Sequence, residues 1–304
     1  MANPKHLALL KAGIAGWNQQ QQKKKKVCSI DDQSPYCREI VDLSGADLSN
    51  ANLSGANFSQ ANLNLTNLYK ANLGWANLSE ADLARASLHQ AYLSGANLSG
   101  ANLGGATCLS EANLKGANLS RAYLKGADLS RANLSKANLS HTNLVGANLA
   151  GANLCGADLV RANLSGADLS GANLSEANLN WATLCMANLR WTDLTDADVV
   201  EANLSKTNLC KANLSGANLS GGTNLSEANL RGADLSEAYL KGANLSAAIL
   251  WDTELTGAYF NGANLSGAHL SGAHLEGANF QGARLGKAES VKIANDQEPI
   301  AQTV

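Results

Sequence analysis

Apolar and polar positions recur along this chain on a period that fits neither standard element. From Val41 to Leu285 the sequence advances in steps of five, as in Ala51-Asn52-Leu53-Ser54-Gly55. Anchoring on the central apolar residue gives 49 steps, the first centred on Leu43 and the last on Leu285. Leu fills 45 centres; the others are Phe58, Val199, Phe260 and Phe280. Two places before the centre stands Ala in 41 steps, with Val41 and several Thr as replacements, and one place before it Asn or Asp in 37. On an α-helix five residues turn through about 500°, which would smear Leu over every face. On a continuous strand an odd period would throw successive Leu to opposite faces. Both objections vanish if each step is a short extended segment closed by a turn. Ala and Leu, two apart, then share one side. Ser with Gly or a charged residue turns the chain, and the next Ala and Leu point inward again. A chain that turns the same way every five residues is a coil, and stacked coils bond as parallel strands.

The register slips by one residue twice, around Ala106-Thr107-Cys108-Leu109 and Gly221-Gly222-Thr223-Asn224, dividing the array into 13, 23 and 13 steps. Each slip reads as a bulge at a corner that does not skip a side. Proline is absent from the whole array, as uninterrupted ladders require.

Tandem A-[N/D]-L-x-x steps of this kind are similar to those of the pentapeptide-repeat proteins, and the similarity spans some 245 of 304 residues. It implies an all-β solenoid, a right-handed quadrilateral β-helix with about 20 residues in each of about 12 coils. At the ~4.8 Å spacing of paired strands that stack is about 60 Å long. A solenoid exposes strand edges and core at its ends, so both need covering. Residues 1–22 read as a capping helix: Asn3 caps it, Pro4 opens it, and Leu7, Leu10, Ile14 and Trp17 follow at helical spacing. The leader resembles that of cyanobacterial members of the family, ending in a Trp17-Asn18 pair. Residues 23–40 read as a polar, basic linker and pre-coil segment, 41–287 as the β-helix and 288–304 as a loose tail.

Composition narrows the class. Charged residues are 16% of the chain and the net charge is −2, which excludes a generally basic nucleic-acid binder and a strongly acidic tail protein. Hydrophobic residues at 45% argue against a disordered low-complexity chain. Six cysteines are too few for a disulfide scaffold. No apolar run approaches the ~18 residues of a membrane span, and Lys11 interrupts the short apolar run at the amino end, so no signal peptide is expected. The expectation is a cytoplasmic protein with no membrane partner.

Chemistry-bearing residues are sparse. Cys155, Cys185 and Cys210 each follow a central Leu and fall on three different sides, so no two are expected to share a metal or a disulfide. Cys28 and Cys37 are expected as free thiols in a reducing compartment. His269 and His274 lie in consecutive steps and read as solvent-exposed. Every Gly of the array belongs to the repeat, so no phosphate loop is expected. The repeated Asn-Leu-Ser matches the glycosylation sequon as a by-product of the repeat. The reading is of no active site, no cofactor and no metal.

Charge says more when sorted by side. Three sides come out near neutral. The fourth collects Glu176, Asp193, Asp196, Asp234, Glu237, Glu254 and Glu276 against Lys115 and Lys136, a sum of −5. Such a stripe makes a local negative potential that attracts a basic partner; chance scatter over four sides is the other reading. Trp75, Trp181, Trp191 and Trp251 stand at outward positions, and Trp191 and Trp251 share a side with Arg190, as in many binding patches. Phe260 and Phe280 are expected to stack inside the carboxyl-terminal coils and Tyr239 and Tyr259 outside them. That aromatic end leaves monomer and homodimer both open. The leading functional reading is a non-enzymatic interaction scaffold for a protein partner, with no direct nucleic-acid binding. The family resemblance adds an alternative, a DNA-mimic modulator of a type II topoisomerase (gyrase), which the weak net charge and the lack of long side loops disfavour.

Overall fold

Within each unit most five-residue steps close the same four backbone hydrogen bonds. In the step centred on Leu174, the Leu174 amide donates to Asp193 O at 2.7 Å and the Glu176 amide to Thr195 O at 2.9 Å, one layer on. Ala177 N donates back to Leu174 O at 3.0 Å, closing the turn, and Asp193 N returns to Ala172 O at 3.0 Å. Glu176, third in that turn, has φ 57°, the left-handed value that a type II turn requires. The extended part of a step is too short to be a strand of ordinary length. It contributes one parallel bridge to the layer before and one to the layer after, as in Asn153, Asn173 and Asp193.

The computed structural model describes residues 2–30 and 40–286, with the backbone alone over 24–30. They fall into two units, Met1–Asn148 and Leu149–Val304. Each is a four-sided, right-handed β-helix. Within unit 1 the columns of bridging residues are five or six deep, for example Asp42, Asn62, Asp82, Asn102, Tyr123 and Asn143. Within unit 2 they are six or seven deep. Lys115 and Lys136 follow Asn113 and Asn133 in one column of unit 1.

The interior of each unit is what the period demands. Central Leu and preceding Ala are almost all fully buried, and Phe260 stacks on Phe280 at 4.8 Å with rings 3° apart. The Thr residues that replace Ala are buried too, and their hydroxyls bond carbonyls of the coil, as Thr192 Oγ1 does with Leu169 O at 3.0 Å. Outside, Asn and Asp fix the turns: their Oδ1 accepts the amide two residues on, as Asn178 does from Asn180 N at 3.1 Å. Many also bond along the column, as Asn188 Nδ2 does to Asp168 Oδ1 at 2.9 Å.

Both slips are single-residue bulges that leave the column order intact. Ser87 pairs with Cys108 and Asn203 with Asn224, 21 residues apart instead of 20. A Thr follows each extra residue. Thr223 Oγ1 lies 2.8 Å from both Val199 O and Ser220 O, and Thr107 Oγ1 lies 3.0 Å from both Leu83 O and Gly104 O.

The amino end departs from the single helix ending at Gln22. Two helices form, α1 (Pro4–Ala12) and α2 (Ile14–Ile30), broken at Gly13 with φ 130°. The second therefore runs past Gln22 into the Lys segment read as a linker. Gln and Lys are good helix formers, and no Gly or Pro occurs between Gly16 and Pro35. Leu10 and Trp17 are buried while Leu7 and Ile14 are half-covered. Trp17 packs on Phe58 at 5.5 Å and donates from Nε1 to Asn57 O at 2.8 Å. Asn18 bonds Gly55 O and Asn57 N, and His6 Nδ1 accepts from Asp42 N at 3.1 Å. These bonds satisfy groups of the first coil that have no preceding layer. Cys37, the side chain of Cys28 and the tail 288–304 lie outside the described residues. No helix among the described residues is long and apolar enough to cross a membrane.

Candidate functional site

The bridge order in unit 2 assigns each candidate residue to a side. One column runs Asn153, Asn173, Asp193, Asn213, Asp234, Glu254, His274. The steps on it carry Glu176, Asp193, Asp196, Asp234, Glu237, Glu254 and Glu276 and neither Lys nor Arg. All seven carboxylates thus share one side, over six layers or about 24 Å.

They fall into two structural kinds. Asp193, Asp234 and Glu254 sit at bridging positions, half-buried, and serve the turns. Asp193 Oδ1 accepts from Thr195 N at 3.0 Å and Thr195 Oγ1 at 2.6 Å, and Asn213 Nδ2 reaches Thr195 Oγ1 at 2.9 Å. Asp234 takes Ser236 N at 2.9 Å together with the Ser236 hydroxyl, and Glu254 takes Thr256 N at 3.1 Å with the Thr256 hydroxyl. Glu176, Asp196, Glu237 and Glu276 are exposed. The first three stand at the corner beyond this side with φ 57°, 54° and 58°. The turn hydroxyls and amides hold the inner carboxylates in place, and the corner acids project beyond them.

The other oxygen of Glu254 meets His274 Nδ1 at 2.9 Å. Hydrogen bonds from the Thr256 hydroxyl and from His274 hold Glu254 below the usual carboxylate range. The bond to Glu254 and its charge, with smaller contributions from Glu276 and Asp252, push His274 up. His274 is exposed; His269 is half-buried against the Trp251 ring at 6.1 Å, not solvent-exposed as its sequence position suggested.

Arg190, Trp191 and Trp251 belong to the neighbouring column, Asp168, Asn188, Asn208, Asn229, Ile249, His269, with the two Trp three layers apart. Arg190 lies over the Trp191 ring at 4.3 Å and Arg231 over Trp251 at 5.9 Å. By residue type alone these residues and the acidic stripe are separate features. They adjoin, because the corner carrying Trp191, Lys211 and Asp252 is where this arginine side turns into the acidic side. Chain adjacency was the available signal, since Trp191 stands two residues before Asp193. Arg231 carries no signal in the sequence, because its pairing with Trp251 spans a layer and shows only once the coils stack.

Of the remaining candidates, Cys155, Cys185 and Cys210 follow three different columns. Tyr239 stacks on Tyr259 at 5.1 Å on the side opposite the arginines. Among the described residues no group of three His, Cys, Asp or Glu is placed to hold a metal ion.

The family model of pentapeptide repeats matches residues 42–79, 71–107, 107–146, 147–185, 187–222, 221–252 and 253–289. Among solved structures, HetL, a pentapeptide repeat protein involved in heterocyst differentiation regulation in the cyanobacterium Nostoc sp. strain PCC 7120, is 34% identical over 78% of this chain and 88% of its own, with a TM-score of 0.34. Rfr23 from the cyanobacterium Cyanothece 51142 is 40% identical over 30% of this chain and 58% of its own, with a TM-score of 0.20. QnrB1, a plasmid-mediated fluoroquinolone resistance protein, is 21% identical over 64% and 88%, with a TM-score of 0.30. Comparison with curated protein sequences gives no significant match.

Proposed function

The chain belongs to the pentapeptide repeat family, and on that premise we propose that it is a non-enzymatic, cytoplasmic scaffold that binds a protein partner through the acidic side of unit 2. One observation carries the reading: within unit 2, seven carboxylates and no Lys or Arg stand on the steps of one side. A fixed single-sign surface steers and orients an oppositely charged partner, because its field is set before encounter. The partner is expected to present Lys and Arg over about 24 Å, the span of six layers.

Affinity capture from the native host's lysate tests this, comparing wild type with a variant in which Asp193, Asp196, Asp234 and Glu237 become Asn or Gln. A partner retained by the wild type, released by salt and lost from the variant is the expected result. Equal capture by both would clear the acidic side of this role. Capture of a type II topoisomerase lost from the variant would bring DNA mimicry forward.

A further inference from the structure

We infer that the corner formed by Arg190, Trp191 and Lys211 is a second docking site, for a carboxylate side chain on an extended segment of a partner protein. The inference rests on the chain being a protein-binding scaffold, but it concerns different residues of unit 2 and a ligand of opposite charge to the one proposed for the acidic side.

Among the described residues of unit 2 there are three Arg–Trp pairs, and two of them show what such a pair takes. Arg161 lies 5.6 Å from the Trp181 ring, and Glu201 Oε2 accepts from Trp181 Nε1 at 3.0 Å. Arg231 lies over Trp251, and Asp252 Oδ2 is 3.7 Å from its Nε. Both pairs are completed by a carboxylate of the chain itself. The third, Arg190 over Trp191, is the closest of the three at 4.3 Å, and no acidic residue among those described pairs with it. At the corner one layer on, where the Trp181 column has Glu201, the Trp191 column has Lys211, a second positive charge.

Arg190 Nε is buried and lacks a hydrogen-bond acceptor among the described residues. An unmet donor on a charged group is costly. A small rotation of the guanidinium off the ring would present Nε and one Nη side-on to a carboxylate, the bidentate geometry that Arg favours. Lys211 adds charge one layer, about 4.8 Å, along the column. Trp191, 56% exposed, offers its ring to an apolar neighbour of that carboxylate. The surroundings select a short acidic protein segment over a nucleic acid. The seven carboxylates of the adjoining side repel a polyphosphate running along this corner, and Asp252 closes the basic run at its far end.

Full-length protein titrated at low salt with a synthetic peptide of about ten residues, Glu-Leu-Glu at its centre and uncharged residues elsewhere, tests the inference by calorimetry and tryptophan fluorescence. Arg190→Gln is expected to weaken binding about tenfold, the scale of one lost charged hydrogen bond. Arg190→Lys should fall between, since it keeps the charge and loses the fork. Trp191→Phe should abolish the fluorescence response, and Arg161→Gln, whose pair is already completed, should bind as wild type. Equal affinity of Arg190→Gln and wild type overturns the proposal, as does equal binding of the peptide with Gln in place of Glu. Tighter, Arg190-dependent binding of a single-stranded oligonucleotide of the same charge overturns the partner class. The acidic-side variant should bind this peptide at least as well as wild type, so failure here and failure of lysate capture are separate results.

Discussion

Replacing Thr223 with Val tests how a one-residue slip is accommodated without breaking the ladder. Thr223 is fully buried, and its hydroxyl lies 2.8 Å from both Val199 O and Ser220 O. Among the described residues those carbonyls are otherwise served by long contacts, Ala202 N and Glu201 N, each at 3.4 Å. Valine has nearly the same shape, so the substitution opens no cavity and removes the hydroxyl alone. A buried carbonyl left without a good donor costs about 1–3 kcal/mol. Since one hydroxyl proton serves one carbonyl at a time, the expected loss is about 2 kcal/mol. Stability in a stacked repeat is local, so a single global unfolding free energy is a poor readout. Amide exchange over Leu219–Leu225 is the appropriate assay, with acceleration of about thirtyfold where exchange proceeds through local opening. Thr223→Ser keeps the hydroxyl and loses one methyl, worth about 0.8 kcal/mol of burial, and should exchange more slowly than Thr223→Val. If the Ser variant were as destabilised as the Val variant, or if Val left exchange unchanged, the hydroxyl would not be what accommodates the slip.

Two further perturbations probe the amino end and the last coils. Trp17→Ala removes a fully buried ring from Phe58 and a bond to Asn57 O, and is expected to cost unit 1 about 3–5 kcal/mol. Chemical unfolding monitored by exchange in the first coil measures it, and a loss below about 1 kcal/mol would mean that the helices do not act as a cap. For the Glu254–His274 pair, His274 is raised above 6.5 and Glu254 lowered below 4.5. The histidine contribution is complete below pH 6.5 and is lost as pH rises through its raised value. The Glu254 contribution is complete above pH 4.5 and is lost as pH falls through its lowered value. The pair is therefore strongest between those two ordinary values. An NMR titration should place the His274 midpoint above 6.5, and Glu254→Gln should lower it; equal midpoints in the two proteins would dismiss the pairing.

Much of the fold was legible in order because each step carries its own geometry. Ala and Leu two apart define an inside, Asn at the bridge fixes the turn, and counting by fours with two corner bulges put the seven acids on one side. Local rules were enough there, since each layer bonds only to its neighbours 20 or 21 residues away. The helix boundary at Gln22 was misplaced for an equally local reason: a run of Gln and Lys lacks an apolar stripe yet has good helix propensity.

What the chain by itself determined was the period, the inward residues and, within each unit, which steps share a side. The stacked structure alone decided the pairings between layers. It put Trp17 and His6 on the first coil, Trp251 on His269, Glu254 on His274, and carboxylates beside two Arg–Trp pairs but not beside the third. Those outcomes depend on side-chain direction at each corner and on which neighbour lies one layer away, and a repeating pattern of residue types encodes neither. Periodicity specifies where a side chain starts, and packing between coils specifies what it touches.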